Sequence, residues 1–246
     1  MSSFTGSKHT RARGSQLILA VGTALLGALF IRLGVWQWNK AESSARAVAE
    51  YEERARLPPL TVGERLVDPA RTNAVPITAR GRYEPQHQIF LDNRQNDGVP
   101  GVHVLTPLKI EPGETRLLVN RGWIPWPSGR RDTLPEVPVP DGIVVVKGIA
   151  EVPSTKPFFL MPEAREFADR LWPRVDLERF AQLIQHPVQP VVLLQNQDDA
   201  QDGLVRRWPP PEDKTLMHRG YAYQWFGMAA ALAIFFGGAI LRRKTS

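Results

Sequence analysis

The chain has 246 residues, 43% of them hydrophobic, and a net charge of +6. It contains no cysteine, which excludes disulfides, thiolate metal sites and covalent haem attachment through a Cys-x-x-Cys-His motif. Its positive charges cluster near the two termini and are interleaved with acids elsewhere, so we predict no nucleic-acid partner.

The first apolar window, residues 16–38, predicts a transmembrane helix behind a basic tail, residues 1–15. As a helix it is roughly 33 Å long, enough for a hydrocarbon core about 30 Å thick. A cleaved signal peptide is the alternative. The nearest small-x-small site, Ala45-Arg46-Ala47, lies far beyond the apolar run, so we expect an uncleaved anchor.

The second window lies in residues 220–241, where Tyr221 to Leu241 carry no charge, and a basic tail follows at residues 242–246. Because positive charge stays cytoplasmic, we expect both tails inside and residues 39–219 on the opposite side of the membrane. The N-terminal tail is short for a mitochondrial transit sequence, so we predict a bacterial inner (plasma) membrane.

The central segment, residues 39–219, should begin as helix and break at the "LPPL" of residues 57–60. Short apolar runs separated by Gly and Pro follow, and they predict a largely antiparallel sheet, as a small barrel or sandwich. Residues 176–185 predict a helix. The predicted fold is an α+β membrane protein, in which two transmembrane helices flank a β-rich extracytoplasmic domain with one or two helices.

Common catalytic motifs are missing, and we predict that the protein is not an enzyme. Asp92 and Arg94 lie in residues 90–101, which read either as the catalytic loop of a hydrolase or as a long hairpin turn; we favour the turn. His87 and His103 are interpreted as packed or surface residues. Arg121 beside Trp123 predicts packing or a cation–π pair.

Polar and aromatic residues crowd the predicted outer ends of both spans. An aromatic belt explains the tryptophans and tyrosines, but not polar groups such as Gln37 and His218, which need partners near hydrocarbon. Two interpretations remain: a haem site with a histidine ligand, or hydrogen bonding between the helices. If the spans are neighbours, a Trp-Gln pair should face a Gln-Trp pair. The candidate residues are Trp36 and Gln37 on the first helix and His218, Tyr221, Gln224 and Trp225 on one face of the second.

Several segments, in this order, resemble the Surfeit-locus-1 family of cytochrome c oxidase assembly factors. The matching text is "LGVWQWNKA", "GRYEP", "LDNRQNDGVPGVHVLTPL", "LLVNRGWIP", "LWPRVD" and "HRGYAYQWF". The resemblance extends from about Leu33 to Phe236. It departs at Asn39-Lys40, where the family usually has an arginine, and at His103, where the family often has an aromatic residue.

The resemblance implies two transmembrane helices around an extracytoplasmic domain, and a role in delivering haem a to subunit I of haem-copper oxidase or in stabilising it there. It also implies that His218, at the start of the second helix, is the metal ligand of a transiently held haem a. The implied partners are oxidase subunit I, the lipid bilayer and, as a further expectation, haem a synthase. The alternative is an interaction scaffold for subunit I that never binds haem.

Overall fold

The computed structural model describes residues 7–127, 133–154, 170–197 and 202–244. The first six residues of the predicted N-terminal tail and the last two of the C-terminal tail lie outside the described residues. The chain falls into two compact units, residues 1–50 with 211–246, and residues 51–210.

Helices lie at both ends of the described chain, and most of the strands lie between them. In chain order, the elements are α1 (Ser7–Ala55), β1 (Leu60–Val62), α2 (Pro69–Thr72), β2 (Pro76–Tyr83), a 3₁₀ turn (Pro85–His87), β3 (Ile89–Asn96), β4 (Val99–Ile110), β5 (Arg116–Pro125), β6 (Val144–Glu151), β7 (Leu171–Trp172), α3 (Leu177–Ile184), β8 (Val188–Gln195) and α4 (Thr215–Lys244).

The first unit contains α4 and most of α1. Both helices include stretches long and apolar enough, by length and composition, to cross a membrane: Ile18–Ala55 and Thr215–Ala239. Helix α1 continues well beyond the predicted span and ends at Ala55, just before Pro58 and Pro59. Proline lacks the amide hydrogen that a helix interior needs, which accounts for this end.

The second unit is built on a closed five-stranded barrel. Its strands follow the order β2–β6–β8–β5–β4, and pairing between β2 and β4 closes the ring. Strands β1, β3 and β7 extend the sheet outside the barrel. The pairing of β5 with β8 is parallel, and the other pairings around the ring are antiparallel. The prediction of a β-rich domain between two apolar helices is therefore confirmed, and the barrel is the form it takes.

Strands β5 and β8 are buried on both faces along residues 117–119 and 191–193, and in both segments the apolar residues are consecutive rather than alternating. In β5, Leu117 and Val119 point into the barrel core, while Leu118 lies in a second core that includes Phe180 of α3. The carboxylate of Asp176 caps α3 by accepting a hydrogen bond from the amide of Arg179 at 3.0 Å. The helix predicted at residues 176–185 is thus present and covers one outer face of the barrel.

Strand β2 closes the barrel although its apolar pattern is weak. Its sequence, PITARGRY, places arginines on the exposed face and contains a glycine, so its apolar signal is weak. A side chain at Gly81 would collide with the carbonyl oxygen of Lys109 on β4. Glycine therefore permits the close approach of β2 and β4 where the ring shuts.

The turn predicted over residues 90–101 is much shorter than expected. Strand β3 continues to Asn96 and β4 begins at Val99, so only Asp97 and Gly98 connect them. Both have positive φ, 48° and 79°, as a two-residue hairpin turn requires. The pairing register shifts between Leu91 and Arg94, at a β-bulge. Because the residues there are polar, their sequence resembles that of a loop.

Arg121 is 1% exposed, and its aromatic partner is not the neighbouring Trp123. The guanidinium lies 5.4 Å from the ring centre of Tyr83 and 3.2 Å from the carboxylate of Asp202. Nη2 of Arg206 lies 2.5 Å from the same carboxylate, so Asp202 forms ion pairs with two buried arginines. The cation–π pair between Arg121 and Trp123 is therefore absent among the described contacts, because Arg121 pairs with Tyr83, 38 positions earlier in the chain. Trp123 is 6% exposed, in agreement with the packing alternative.

Candidate functional site at the helix pair

Helices α1 and α4 run antiparallel in the first unit and touch along several turns. The amide of Lys214 donates to Ser44 Oγ at 2.9 Å, and Thr215 Oγ1 donates to the carbonyl of Ala41 at 3.4 Å. Farther along, the ring of Phe226 occupies the space where any side chain at Gly34 would be. A small residue at this point lets the helices approach closely, as is common between apolar helices.

This packing brings His218 and Gln37 together. Nδ1 of His218 lies 2.7 Å from Oε1 of Gln37. An amide oxygen only accepts hydrogen bonds, so the Nδ1 atom carries the proton and donates it. The other ring nitrogen, Nε2, then keeps its lone pair. Both side chains are half-buried, and their bond joins the two helices at the level where the predicted outer end of each span lies.

Aromatic and charged side chains surround this pair. Trp38 meets the ring of Tyr223 edge to face at 6.1 Å, and the guanidinium of Arg219 lies 5.6 Å from the Trp38 ring centre. The same guanidinium donates to Glu42 Oε1 at 3.3 Å. Arg219 and Glu42 were not singled out from the sequence. The available signal was a charged residue directly after His218 and an acid one turn beyond the apolar window.

The other predicted site residues lie in different surroundings. Gln224 is exposed, and Tyr221 and Trp36 are 48% and 52% exposed. Trp225 packs against Phe30, with ring centres 5.7 Å apart. The expected facing of Trp36-Gln37 and Gln224-Trp225 is wrong because the antiparallel register sets His218 level with Gln37. Residue 224 lies about 9 Å farther along the helix.

Within the described residues, no group of three or more potential metal ligands occurs. The register of β4 pairs His103 with Leu91 and Trp123, not with His87, which lies in the 3₁₀ turn. The ring of His103 contacts Trp208 edge to face at 5.4 Å. The Asp92 carboxylate accepts a hydrogen bond from the next amide, that of Asn93, at 2.6 Å.

Together these features define a class of protein: a β-barrel domain inserted between two apolar helices that pair through a histidine and a glutamine. A model of the SURF1 family matches residues 24–230. The chain belongs to the SURF1 family, whose members are known as cytochrome oxidase assembly factors.

Individual relatives are distant but span most of the chain. A SURF1-like protein from Rickettsia bellii is 24% identical over 89% of this chain and 88% of its own length. Surfeit locus protein 1 from Xenopus tropicalis is 24% identical over 81% of this chain and 68% of its own length. Surfeit locus protein 1 from Mus musculus is 22% identical over 89% of this chain and 74% of its own length.

Proposed function

We propose that this protein assists the assembly of haem-copper cytochrome c oxidase by holding haem a transiently through His218 and passing it to subunit I. The observation that carries the proposal is the 2.7 Å hydrogen bond from His218 Nδ1 to Gln37 Oε1. It fixes the tautomer in which Nε2 can bind a metal. In metal sites, the second nitrogen of a ligating histidine ordinarily donates to such an acceptor, which orients the ring.

The neighbouring residues suit a flat apolar cargo with an iron at its centre. His218 is half-buried, and the ring of Tyr221, one turn away, is 48% exposed, so an apolar surface adjoins the imidazole. Haem iron, when bound, accepts the lone pair of one axial nitrogen. His218 would supply that nitrogen, Gln37 would orient it, and Tyr221 would cover part of the macrocycle. A single histidine ligand suits transient holding because a second would slow release.

We further propose that the helix pair is anchored in a bacterial inner membrane, with both termini cytoplasmic and the barrel domain periplasmic. The basic residues flanking the apolar windows support this orientation through the positive-inside rule. The His218–Gln37 pair would then face the outer side of the bilayer. Subunit I is the proposed recipient of the haem, and haem a synthase the proposed donor.

The test is the absorption spectrum of the full-length protein, co-expressed with the enzymes that make haem a and purified in detergent. We expect a Soret band in the wild type and its loss in His218→Ala. His186→Ala is the matched control, because His186 is a partly exposed histidine of the barrel domain, and its band should be unchanged. A band that survives His218→Ala would refute ligation by this residue.

A scaffold that binds subunit I without haem is the second candidate. It is favoured by the same bond, since a histidine that only joins two helices would also donate to Gln37. The two functions differ in one outcome. Co-purification of subunit I with both wild type and His218→Ala, and no Soret band in either, would support the scaffold and contradict haem transfer.

A further inference from the structure

The barrel domain contains a cavity lined by residues of several strands. It has a volume of about 500 Å³, within the range of small-molecule sites. Side chains from β3, β4, β5, β6 and β8 reach it, together with the segment around Trp208. Apolar residues form part of its lining, and the polar residues include Arg94, His103, Asn120, Glu151 and Arg174. We call it the His103 cavity.

Positive charge exceeds negative charge in the lining of this cavity. Three guanidiniums, those of Arg94, Arg174 and Arg207, face one carboxylate, that of Glu151. Arg207 is already bound to Asp97, with contacts of 2.8 and 3.0 Å. In the part of the chain that the structure describes, Arg94 and Arg174 form no ion pair. Apart from the Arg207–Asp97 pair, the lining therefore holds two guanidiniums, those of Arg94 and Arg174, and one carboxylate, that of Glu151.

His103 adds an oriented donor to the same lining. Asn120, which is 4% exposed, places its Oδ1 3.4 Å from the amide of Gly122 and its Nδ2 3.2 Å from His103 Nδ1. Because the amide nitrogen donates, His103 Nδ1 accepts and Nε2 carries the proton. Burial, with a smaller contribution from Arg94, lowers the pKa of His103 to about 4. The ring is therefore a neutral donor at pH 7.

We infer that the His103 cavity binds a carboxylate attached to an apolar body. Arg94 and Arg174 would pair with the carboxylate, since guanidinium and carboxylate form charge-assisted, often bidentate hydrogen bonds. His103 Nε2 would supply one further donor, and the wall that includes Leu91, Leu194 and Trp208 would cover the apolar part. Two kinds of ligand carry such a carboxylate: a free small acid, or a peptide with an acidic side chain next to an aromatic one.

The test uses the full-length protein in detergent, labelled with ¹⁵N-histidine, and follows the His103 signal assigned with His103→Gln. The probes are 3-phenylpropanoate and, as the uncharged control, 3-phenylpropanamide. A second pair, acetyl-Glu-Phe-amide and acetyl-Gln-Phe-amide, represents the peptide source. We expect a saturable shift with at least one of the two acids and a much weaker effect of its amide. The acid that binds more tightly identifies the source.

Variants of opposite charge make the test specific to the lining. Arg94→Gln and Arg174→Gln should each weaken acid binding by about tenfold, as expected for loss of one charge-assisted contact. Glu151→Gln should strengthen it, because it removes the opposing charge. Arg71→Gln is the control, since Arg71 is highly exposed and lies outside the lining. No shift with either acid, equal binding of acid and amide, or unchanged binding in both arginine variants would overturn the inference.

Discussion

His218 and Gln37 are 181 positions apart in the chain, yet Nδ1 of one lies 2.7 Å from Oε1 of the other. Each is half-buried at the contact between the two apolar helices. Near hydrocarbon, a polar group without a partner is costly, so each side chain satisfies the other. The same bond assigns the imidazole tautomer, and it therefore connects helix pairing to the metal ligation that we propose for His218.

The tautomer can be tested without any haem. Gln37→Leu keeps the side-chain size but removes the acceptor, so Nδ1 should lose its preferential protonation and the ¹⁵N signals of His218 should move toward the Nε2–H tautomer. Gln37→Glu retains an acceptor and should preserve the Nδ1–H form. Gln224→Leu, an exposed amide on α4, is the control. Identical His218 signals in wild type and Gln37→Leu would show that the bond does not set the tautomer.

Close approach of the helices depends on Gly34. Gly34→Leu should push α4 away, because the Phe226 ring fills the space that the new side chain needs. Since the protein has no cysteine, an Ala41→Cys/Thr215→Cys pair can report the separation through disulfide yield. We expect a several-fold lower yield in Gly34→Leu. Gly22→Leu, where no atom lies within 4 Å of the added group, should leave the yield unchanged; equal losses in both would contradict the packing described.

Glu84, in the "GRYEP" segment, forms a buried two-pronged pair with Arg116. The guanidinium Nη2 and Nε atoms lie 3.0 and 3.2 Å from the two carboxylate oxygens, and Arg116 is 4% exposed. Glu84→Gln should lower the free energy of unfolding by about 2–4 kcal/mol, because the carboxylate that remains beside the buried guanidinium, Glu114 at 3.1 Å, is largely exposed to solvent. Glu52→Gln, in the exposed pair with Arg56, should cost less than about 1 kcal/mol. Urea unfolding followed by near-UV circular dichroism measures both.

Asp202 forms ion pairs with two buried arginines. Its substitution should therefore lower the free energy of unfolding more than substitution of a carboxylate in an exposed ion pair. Asp202→Asn leaves Arg121 and Arg206 buried with no carboxylate between them among the described residues. We expect destabilisation by about 3–5 kcal/mol in urea unfolding. The exposed pair of Asp97 and Arg207 offers the control, Asp97→Asn. A cost for Asp202→Asn no larger than for Asp97→Asn would contradict the burial of this cluster.

His103 should make the barrel domain sensitive to acid. Its pKa is about 4 in the folded protein, lowered by burial and by Arg94, whereas an unfolded histidine has a pKa of about 6.5. Between these values the unfolded chain binds the proton first, so stability falls as pH drops from about 6.5 to 4. The slope is at most about 1.4 kcal/mol per pH unit. His103→Phe should flatten this part of the stability profile, and a profile unchanged by that substitution would contradict the assignment.

Local patterns in the sequence were enough to predict the two apolar helices, the β-rich domain between them and the helix that begins after Asp176. The length of an apolar run and the periodicity of a strand are properties of contiguous residues, so they can be read from the sequence. Positive-inside topology also placed Gln37 and His218 at the same predicted membrane surface. Their residue types then made them candidates.

Features that depend on contacts between residues distant in the chain were decided only by the tertiary structure. It paired Gln37 with His218 rather than facing Gln37 with Gln224, in an antiparallel register that also packs Phe226 against Gly34. It closed the barrel through β2, whose polar outer face hid it from periodicity. It also gathered the His103 cavity from residues of five strands. A cavity is space between distant segments, and nothing in any one of them encodes it locally.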